Sequence, residues 1–212
     1  MAKYTDPVCK LCRREGEKLY LKGSRCFGPK CSLEKRNYAP GEHGHAQSAR
    51  SERGSDYSRQ LRAKQRARRT YGVLEKQFQR MYSGALKMHG LTGLNLLRML
   101  ETRLDNIVYR LGFADSRAQA RQLVNHGHFV VNGKKADIPS MLLKIGDVVS
   151  LKEKSAKLEF FKTMAEVAEK RVPSLWLDRD LDTMSGKVNR LPERAEIDGT
   201  LDEQLIVEYY SR

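Results

Sequence analysis

Ser116-Arg-Ala-Gln-Ala-Arg-Gln-Leu-Val-Asn-His-Gly-His-Phe-Val-Val-Asn-Gly-Lys134 changes its hydrophobic period midway. Up to His126 the pattern is helical, with Leu123 and Val124 facing inward. Ser116 stands where a side-chain oxygen can accept from the free amides of a first turn. Gly127 occupies the position at which helices commonly reverse through a left-handed residue. From Phe129 the period falls to two, and Asn132-Gly133 marks a tight hairpin whose twist needs positive φ at both turn residues. A helix feeding an antiparallel hairpin predicts an α+β fold, with helices packed on a mostly antiparallel sheet. Arg117 and Arg121 sit one turn apart, and the hairpin brings Asn132 and Lys134 toward the same side. Cations and amides on a rigid frame suit a phosphate backbone.

Working outward, Ile145-Gly146-Asp147 reads as a turn and Val148–Leu151 as a strand. Ser155 is expected to cap a helix running through Leu158, Phe161, Met164 and Val167 until Pro173. Residues 174–200 read as irregular, with a strand-like Lys187-Val-Asn-Arg190. Residues 202–210 read two ways: Asp202 and an acidic first turn favour a helix, while Ile206, Val207 and two tyrosines favour a strand. Toward the N-terminus, Leu96, Leu97, Leu100 and Leu104 form one helical side that continues or restarts through Ile107, Val108 and Leu111 to Gly112. Leu74, Phe78, Met81, Tyr82 and Ala85 mark an amphipathic helix. Ser55 or Asp56 caps another, to about Thr70. On it Arg59, Arg62, Arg66 and Arg69 make one stripe, with Lys64 and Arg68 opposite. A helix basic on two faces is expected to bury neither, and to lie against a polyanion.

All four cysteines fall within the first 31 residues, as Cys9, Cys12, Cys26 and Cys31 in the pattern C-x2-C-x13-C-x4-C. Paired thiolates on short loops can close on one tetrahedral Zn²⁺. The segment has too few apolar residues to fold alone and reads as extended, pinned by a metal worth about 10–16 kcal/mol in small zinc modules. An iron–sulfur cluster shares the ligand set. Disulfides would need an oxidising compartment, and a thioredoxin-like redox pair a βαβ context. His43 and His45 could ligate, but four cysteines already saturate the site. Lys10, Arg13, Arg14, Lys18, Lys22, Arg25, Lys30, Lys35 and Arg36 bracket these loops, a basic surface shaped for phosphate.

The charge totals agree. The chain carries 40 Lys and Arg against 26 Asp and Glu, a net +14. The first 160 residues hold the excess, and residues 161–212 are mildly acidic. A directional polyanion partner follows. The most basic helix lacks the bulky apolar face of a membrane-surface helix, which leaves nucleic acid. The polar start, Met1-Ala-Lys-Tyr-Thr-Asp-Pro7, has no secretory apolar run, so a reducing cytoplasmic setting is expected.

The Ser116–Lys134 segment resembles the small RNA-binding domain shared by ribosomal protein four of the small subunit and several RNA-modifying enzymes. The likeness runs almost end to end. The Cys9–Cys31 knuckle, Tyr38-Ala-Pro-Gly-Glu-His-Gly44, Asp56-Tyr57…Leu61-Arg62…Lys64-Gln65, Arg103-Leu-Asp-Asn106, Tyr109-Arg-Leu-Gly-Phe113, Ile138-Pro-Ser140 and Tyr209-Tyr-Ser-Arg212 all look like the bacterial small-subunit ribosomal protein four family, in the branch that keeps the zinc cysteines.

This resemblance implies a zinc-bearing extension over residues 1–46 and a helical domain over 47–97, to which residues 197–212 return. An RNA-binding domain would occupy 98–196, with its core motif at 103–161. It implies a non-enzymatic primary binder of small-subunit ribosomal RNA that nucleates assembly and influences accuracy. Ribosomal proteins five and three, and messenger RNA near the point where it enters, would be neighbours. To the cations already named it adds Arg50, Arg53, Tyr57, Gln65, Arg103, Arg110, Ser116, Gln119, Gln122, His126, His128 and Lys135 as RNA-facing residues. The rival class is a free translational regulator or an RNA-modification factor. Pseudouridine synthases carry a catalytic Asp in Arg-Leu-Asp, as in Arg103-Leu104-Asp105. Here the helical pattern makes Asp105 a cap or a salt-bridge partner.

Overall fold

The computed structural model describes residues 3–45 and 54–212. In chain order the helices begin with α1 (Cys9–Glu15), a 3₁₀ turn (Gly23–Cys26), α2 (Ser32–Lys35), α3 (Asp56–Thr70), α4 (Glu75–Leu86), α5 (Thr92–Glu101), α6 (Leu104–Arg110) and α7 (Arg117–Asn125). There follow β1 (Phe129–Val131), β2 (Lys134–Lys135), β3 (Val148–Leu151), α8 (Glu153–Ala156), α9 (Glu159–Glu169), β4 (Leu177–Asp180), β5 (Ser185–Val188), a second 3₁₀ turn (Arg194–Glu196) and α10 (Glu203–Tyr210). The chain divides into two compact units, one of residues 1–96 with 199–212 and one of residues 97–198.

In the first unit α3 begins where Ser55 is extended and its Oγ accepts from Ser58 N at 3.3 Å. The helix does bury a face, made of Gln60, Ala63, Lys64, Ala67 and Thr70. Two alanines on that face let α10 pack closely, and Gln60 Nε2 donates to Glu208 Oε2 at 2.9 Å. The expectation that neither face would be buried therefore fails, because acids remote in sequence neutralise the cations. The C-terminal ambiguity resolves as helix: Asp202 Oδ1 accepts from Leu205 N at 3.2 Å, and Ile206 points into the core. The cysteine-bearing segment is not extended throughout. It folds into the short helices α1 and α2, and α1 closes at Gly16, whose φ is 74°.

In the second unit Ser116 Oγ accepts from Gln119 N at 3.3 Å and α7 is formed. Gly127, at φ 71°, donates to Val124 O at 2.8 Å and turns the chain into β1. Asn132 (φ 49°) and Gly133 (φ 76°) make the hairpin turn, with Val131 paired to Lys134. The sheet is antiparallel throughout, in the order β2-β1-β3-β5-β4.

Two further expectations change. Residues 174–200 are not irregular but supply the β4–β5 hairpin. Its Leu-Asp-Arg-Asp and Ser-Gly-Lys-Val strands contain few β-branched residues, so propensity hid them. Ser155 caps no helix. The backbone breaks at Leu158 (ψ 133°) between α8 and α9, and the Ser155 hydroxyl instead meets His128 Nδ1 at 2.9 Å.

The core joins Leu104 and Ile107 of α6, and Leu111 just past its end, to Phe129, Val149 and Val188 of the sheet, with Phe161 and Trp176 alongside. Gly186 of β5 lies under α6, where a Cβ would stand 2.6 Å from Leu111 Cδ1 and 3.1 Å from Asp178 O. Gly186→Ala should therefore destabilise the second unit by about 1–3 kcal/mol through overpacking. A lowered urea midpoint with little change in slope would report it, and an unchanged midpoint would show that α6 can lift freely.

Candidate nucleic-acid interface

The basic residues divide by what they touch. In the first unit Glu15, at the end of α1, has a side chain with 0% exposure. It pairs with Arg62, at 3.3 Å, and with Arg69. Arg66 Nε lies 2.6 Å from Glu17 Oε1, and Arg66 NH1 donates to Thr200 O at 3.0 Å. On the other side of α3, Lys64 Nζ donates to Glu75 Oε1 at 2.8 Å and sits 4.4 Å above the Tyr209 ring. The same Glu75 oxygen accepts from Tyr210 OH at 2.8 Å, and Arg68 stands 3.5 Å from the other oxygen.

These contacts correct the expectation that Arg62, Lys64, Arg66, Arg68 and Arg69 form a bare phosphate-facing stripe. A buried cation is tolerated only when paired, and each of these has an acid. Burial pushes the Glu75 carboxyl up, but hydrogen bonds from Lys64 and Tyr210 outweigh it and hold the pKa below the ordinary 4.5. Burial, then Glu75, push the Tyr210 hydroxyl strongly up. Burial pulls the Arg69 guanidinium down, although Glu15 opposes the shift. Arg59 and Tyr57 remain exposed on α3, and Gln65 is half-buried. The Arg59–Asp56 ion pair is a surface contact of little energetic weight.

Around the cysteines, Arg13 Nε donates to Tyr38 O at 3.0 Å while its guanidinium covers the Tyr38 ring at 4.7 Å, so this cation also serves the fold. Lys18 pairs with Glu34. Lys10, Arg14, Lys22, Arg25, Lys30, Lys35 and Arg36 are exposed. Cys9, Cys12, Cys26 and Cys31 line one cavity of about 20 Å³, together with Lys22, Arg25, Ser32 and Leu33. Burial pushes the Cys12 thiol up, and the nearness of Cys26, Cys9 and Cys31 adds to it. Among the described residues no three His, Cys, Asp or Glu side chains stand in an arrangement that holds an ion. The donor set nonetheless fits a thiophilic tetrahedral metal in kind and number, and a cavity of this size admits an ion but little water.

In the second unit two buried carboxylates collect the arginines. Asp105 takes a two-pronged contact from Arg103, at 3.0 and 2.8 Å, a third from Arg121 NH1 at 3.3 Å, and the amide of Asn106 at 3.0 Å. Arg103 and Arg121 are only 2% and 7% exposed. Glu101, fully buried, accepts from Arg110 at 2.9 and 2.6 Å and from Asn106 Nδ2 at 2.7 Å. Asn106 Oδ1 in turn accepts from Arg117, whose guanidinium lies 4.7 Å over the Tyr109 ring.

Arg103, Arg110, Arg117 and Arg121 are thus not the open surface cations that helical spacing suggested for Arg117 and Arg121 and the resemblance implied for Arg103 and Arg110. Asp105 pairs with Arg103 and Arg121, Glu101 pairs with Arg110, and Arg117 is held by the Asn106 amide oxygen. Asp105, 4% exposed and held by two arginines, has the salt-bridge role rather than an open catalytic one. Ser116 and Gln119 are occupied by the start of α7, the latter accepting from Asp115 N at 2.6 Å. Asn132 braces the sheet, donating to Asp147 Oδ1 at 2.8 Å and accepting from Val148 N at 2.9 Å. His128 is half-buried against Ser155. Gln122, His126, Lys134 and Lys135 are exposed, with Lys135 3.1 Å from exposed Asp137. Arg50 and Arg53, and most of the loop expected at 47–55, lie outside the described residues.

The exposed cations Lys76, Arg80 and Lys87 of the α4 region went unassigned in the sequence reading. Their spacing of four and seven puts them on one side of the helix, opposite its stronger apolar pattern.

Residues 3–101 match the family described as Ribosomal protein S4/S9 N-terminal domain, and residues 102–149 the S4 domain. Small ribosomal subunit protein uS4 of Heliobacterium modesticaldum is 55% identical over 212 residues, the whole of both chains. The chain belongs to the uS4 family of small ribosomal subunit proteins. Over the same full length, uS4A of Alkaliphilus oremlandii is 56% identical and uS4 of Syntrophomonas wolfei 53%. None of the described helices is long and apolar enough to cross a membrane.

The Glu75 site carries a pH dependence. Its carboxyl is depressed on folding, so it contributes stability above the ordinary value of 4.5 and loses that contribution as pH falls through the lower folded value. Glu75→Gln should lower stability at neutral pH and flatten the acid limb of the stability curve below about pH 4.5. An acid limb identical to that of the unsubstituted protein would mean that Glu75 does not titrate with folding.

Proposed function

We propose that this protein is a structural, non-enzymatic constituent of the small ribosomal subunit, in the cytoplasm, where it binds small-subunit ribosomal RNA. The observation that carries the reading is full-length identity above one half with proteins named uS4, in a chain of net charge +14. The interface consists of cations that the fold leaves exposed: Lys10, Lys22, Arg25, Lys30, Lys35 and Arg36 beside the cysteines, Arg59 on α3, and Lys134 and Lys135 at the hairpin tip. Exposed Tyr57, Gln122 and His126 add stacking and hydrogen-bonding groups. The paired arginines shape the surface that presents them. Spread over two units, such a surface suits structured RNA read by shape.

Early binding would nucleate subunit assembly. Ribosomal proteins five and three and the incoming messenger would be neighbours, and contact with protein five would influence accuracy. The four cysteines would hold one structural Zn²⁺, placing the chain in the zinc-cysteine branch of the family. Support comes from their shared cavity. When bound, the metal supplies a fixed crosslink between α1 and the loop before α2.

Sucrose-gradient fractionation with crosslinking in cells tests the function. Co-migration with small subunits and crosslinks confined to one region of their RNA are expected. A protein at the top of the gradient, crosslinked to scattered messengers, would establish the free regulator instead. Metal analysis of the purified chain should find one zinc per molecule, released only as the thiolates are protonated or alkylated. Iron in its place, or no metal, would overturn the zinc assignment.

A further inference from the structure

The outer face of α4 carries positive charge for which the described residues offer no acid. Lys76, Arg80 and Lys87 are all exposed and, with Gln79, Ser83 and Gly84, line a shallow groove of about 520 Å³. The inner face of the helix is committed: Phe78, Tyr82 and Ala85 are in the core, and Glu75 is turned to Lys64, Arg68 and Tyr210. The outer stripe thus has three cations and no carboxylate over about 16 Å of helix. This arrangement works against the helix itself. Lys76 lies in the first turn, where the dipole disfavours a cation, and Lys76 and Arg80 repel each other one turn apart. A bound row of phosphates removes both penalties. Gln79 and Ser83, set between the cations, offer donors and acceptors suited to phosphate oxygens and ribose hydroxyls.

We infer that the Lys76–Arg80–Lys87 face of α4 docks on the sugar–phosphate backbone of small-subunit ribosomal RNA, as a contact separate from the cysteine module and the hairpin tip. The inference rests on the proposed function and assigns it a further surface. The contact is positional and carries no base sequence information, since long flexible cations and a shallow groove cannot read base edges.

The test uses the full chain and a transcript of small-subunit ribosomal RNA. Lys76→Gln with Arg80→Gln keeps good helix formers at exposed positions, and a thermal melt confirms folding. A control pair, Lys162→Gln with Lys170→Gln, removes two exposed cations, one on α9 and one just past its end. Affinity is measured from 50 to 200 mM salt. The α4 pair should reduce the slope of log K against log salt by about 1.4–1.8, so that the unsubstituted protein loses roughly tenfold more affinity over that range than the variant. The control pair should leave the slope within about half a unit of the unsubstituted value. An α4 slope unchanged, or changed no more than the control, overturns the α4 contact while leaving the proposed function standing. So does an unchanged RNA slope with lost binding of a polyglutamate peptide, which would give the face to an acidic protein. If the unsubstituted protein shows no salt-dependent binding to this RNA, the proposed function itself fails and the α4 contact with it.

Discussion

Carboxylates paired with arginine and lysine are the constraint on which this structure depends. Glu15, Glu75, Glu101 and Asp105 each collect two or more cationic or amide partners. A chain of net charge +14 packs into compact units only if its densest cations are neutralised where they meet. At Asp105 the contact from Arg121 also ties α7 to α6. Removing the Asp105 carboxylate would leave buried Arg103 and Arg121 uncompensated, a penalty of about 3–5 kcal/mol.

This internal pairing shapes the surface function. Cations held inside set helix positions; cations left outside are aimed by those helices. Glu15 is the plainest case. It lies in the same short helix as Cys9 and Cys12, and it pairs with two arginines of α3. The cysteine module is thereby docked on α3 by charge. Lys10, Lys22 and Arg25 are presented from a defined base rather than from a loose tail. In the second unit the Asn132–Gly133 turn does the same for Lys134 and Lys135, with Asn132 tied to Asp147 and Val148.

Local chemistry was legible in the sequence wherever the deciding contact is local. Ser116, Ser55 and Asp202 cap the helices they precede, and Gly127 and Asn132-Gly133 turn the chain as their backbone preferences require. The charge roles were not legible, because the partners are far apart in sequence. Arg62 and Glu15 are separated by 47 residues, and Tyr210 and Glu75 by 135. Helical spacing showed where the arginines lie on α3 and α7 but not which acids the fold would bring to them. The β4–β5 hairpin stayed hidden for a related reason. Its strands are held by register with β3 and by Gly186 beneath Leu111, not by their own composition.

The division of cations into internal and external sets can be measured directly by comparing two double variants on the same RNA. Arg62→Gln with Arg69→Gln strips the partners of Glu15; Lys134→Gln with Lys135→Gln strips the hairpin tip. The account predicts that the first pair loses folding stability and leaves the salt dependence of RNA binding by the folded protein unchanged. The second should keep its stability and lose about 1.4–1.8 from the slope of log K against log salt. The opposite outcome, a stable Arg62/Arg69 variant with a reduced slope, would show that these arginines belong to the RNA and that their pairing with Glu15 gives way on binding.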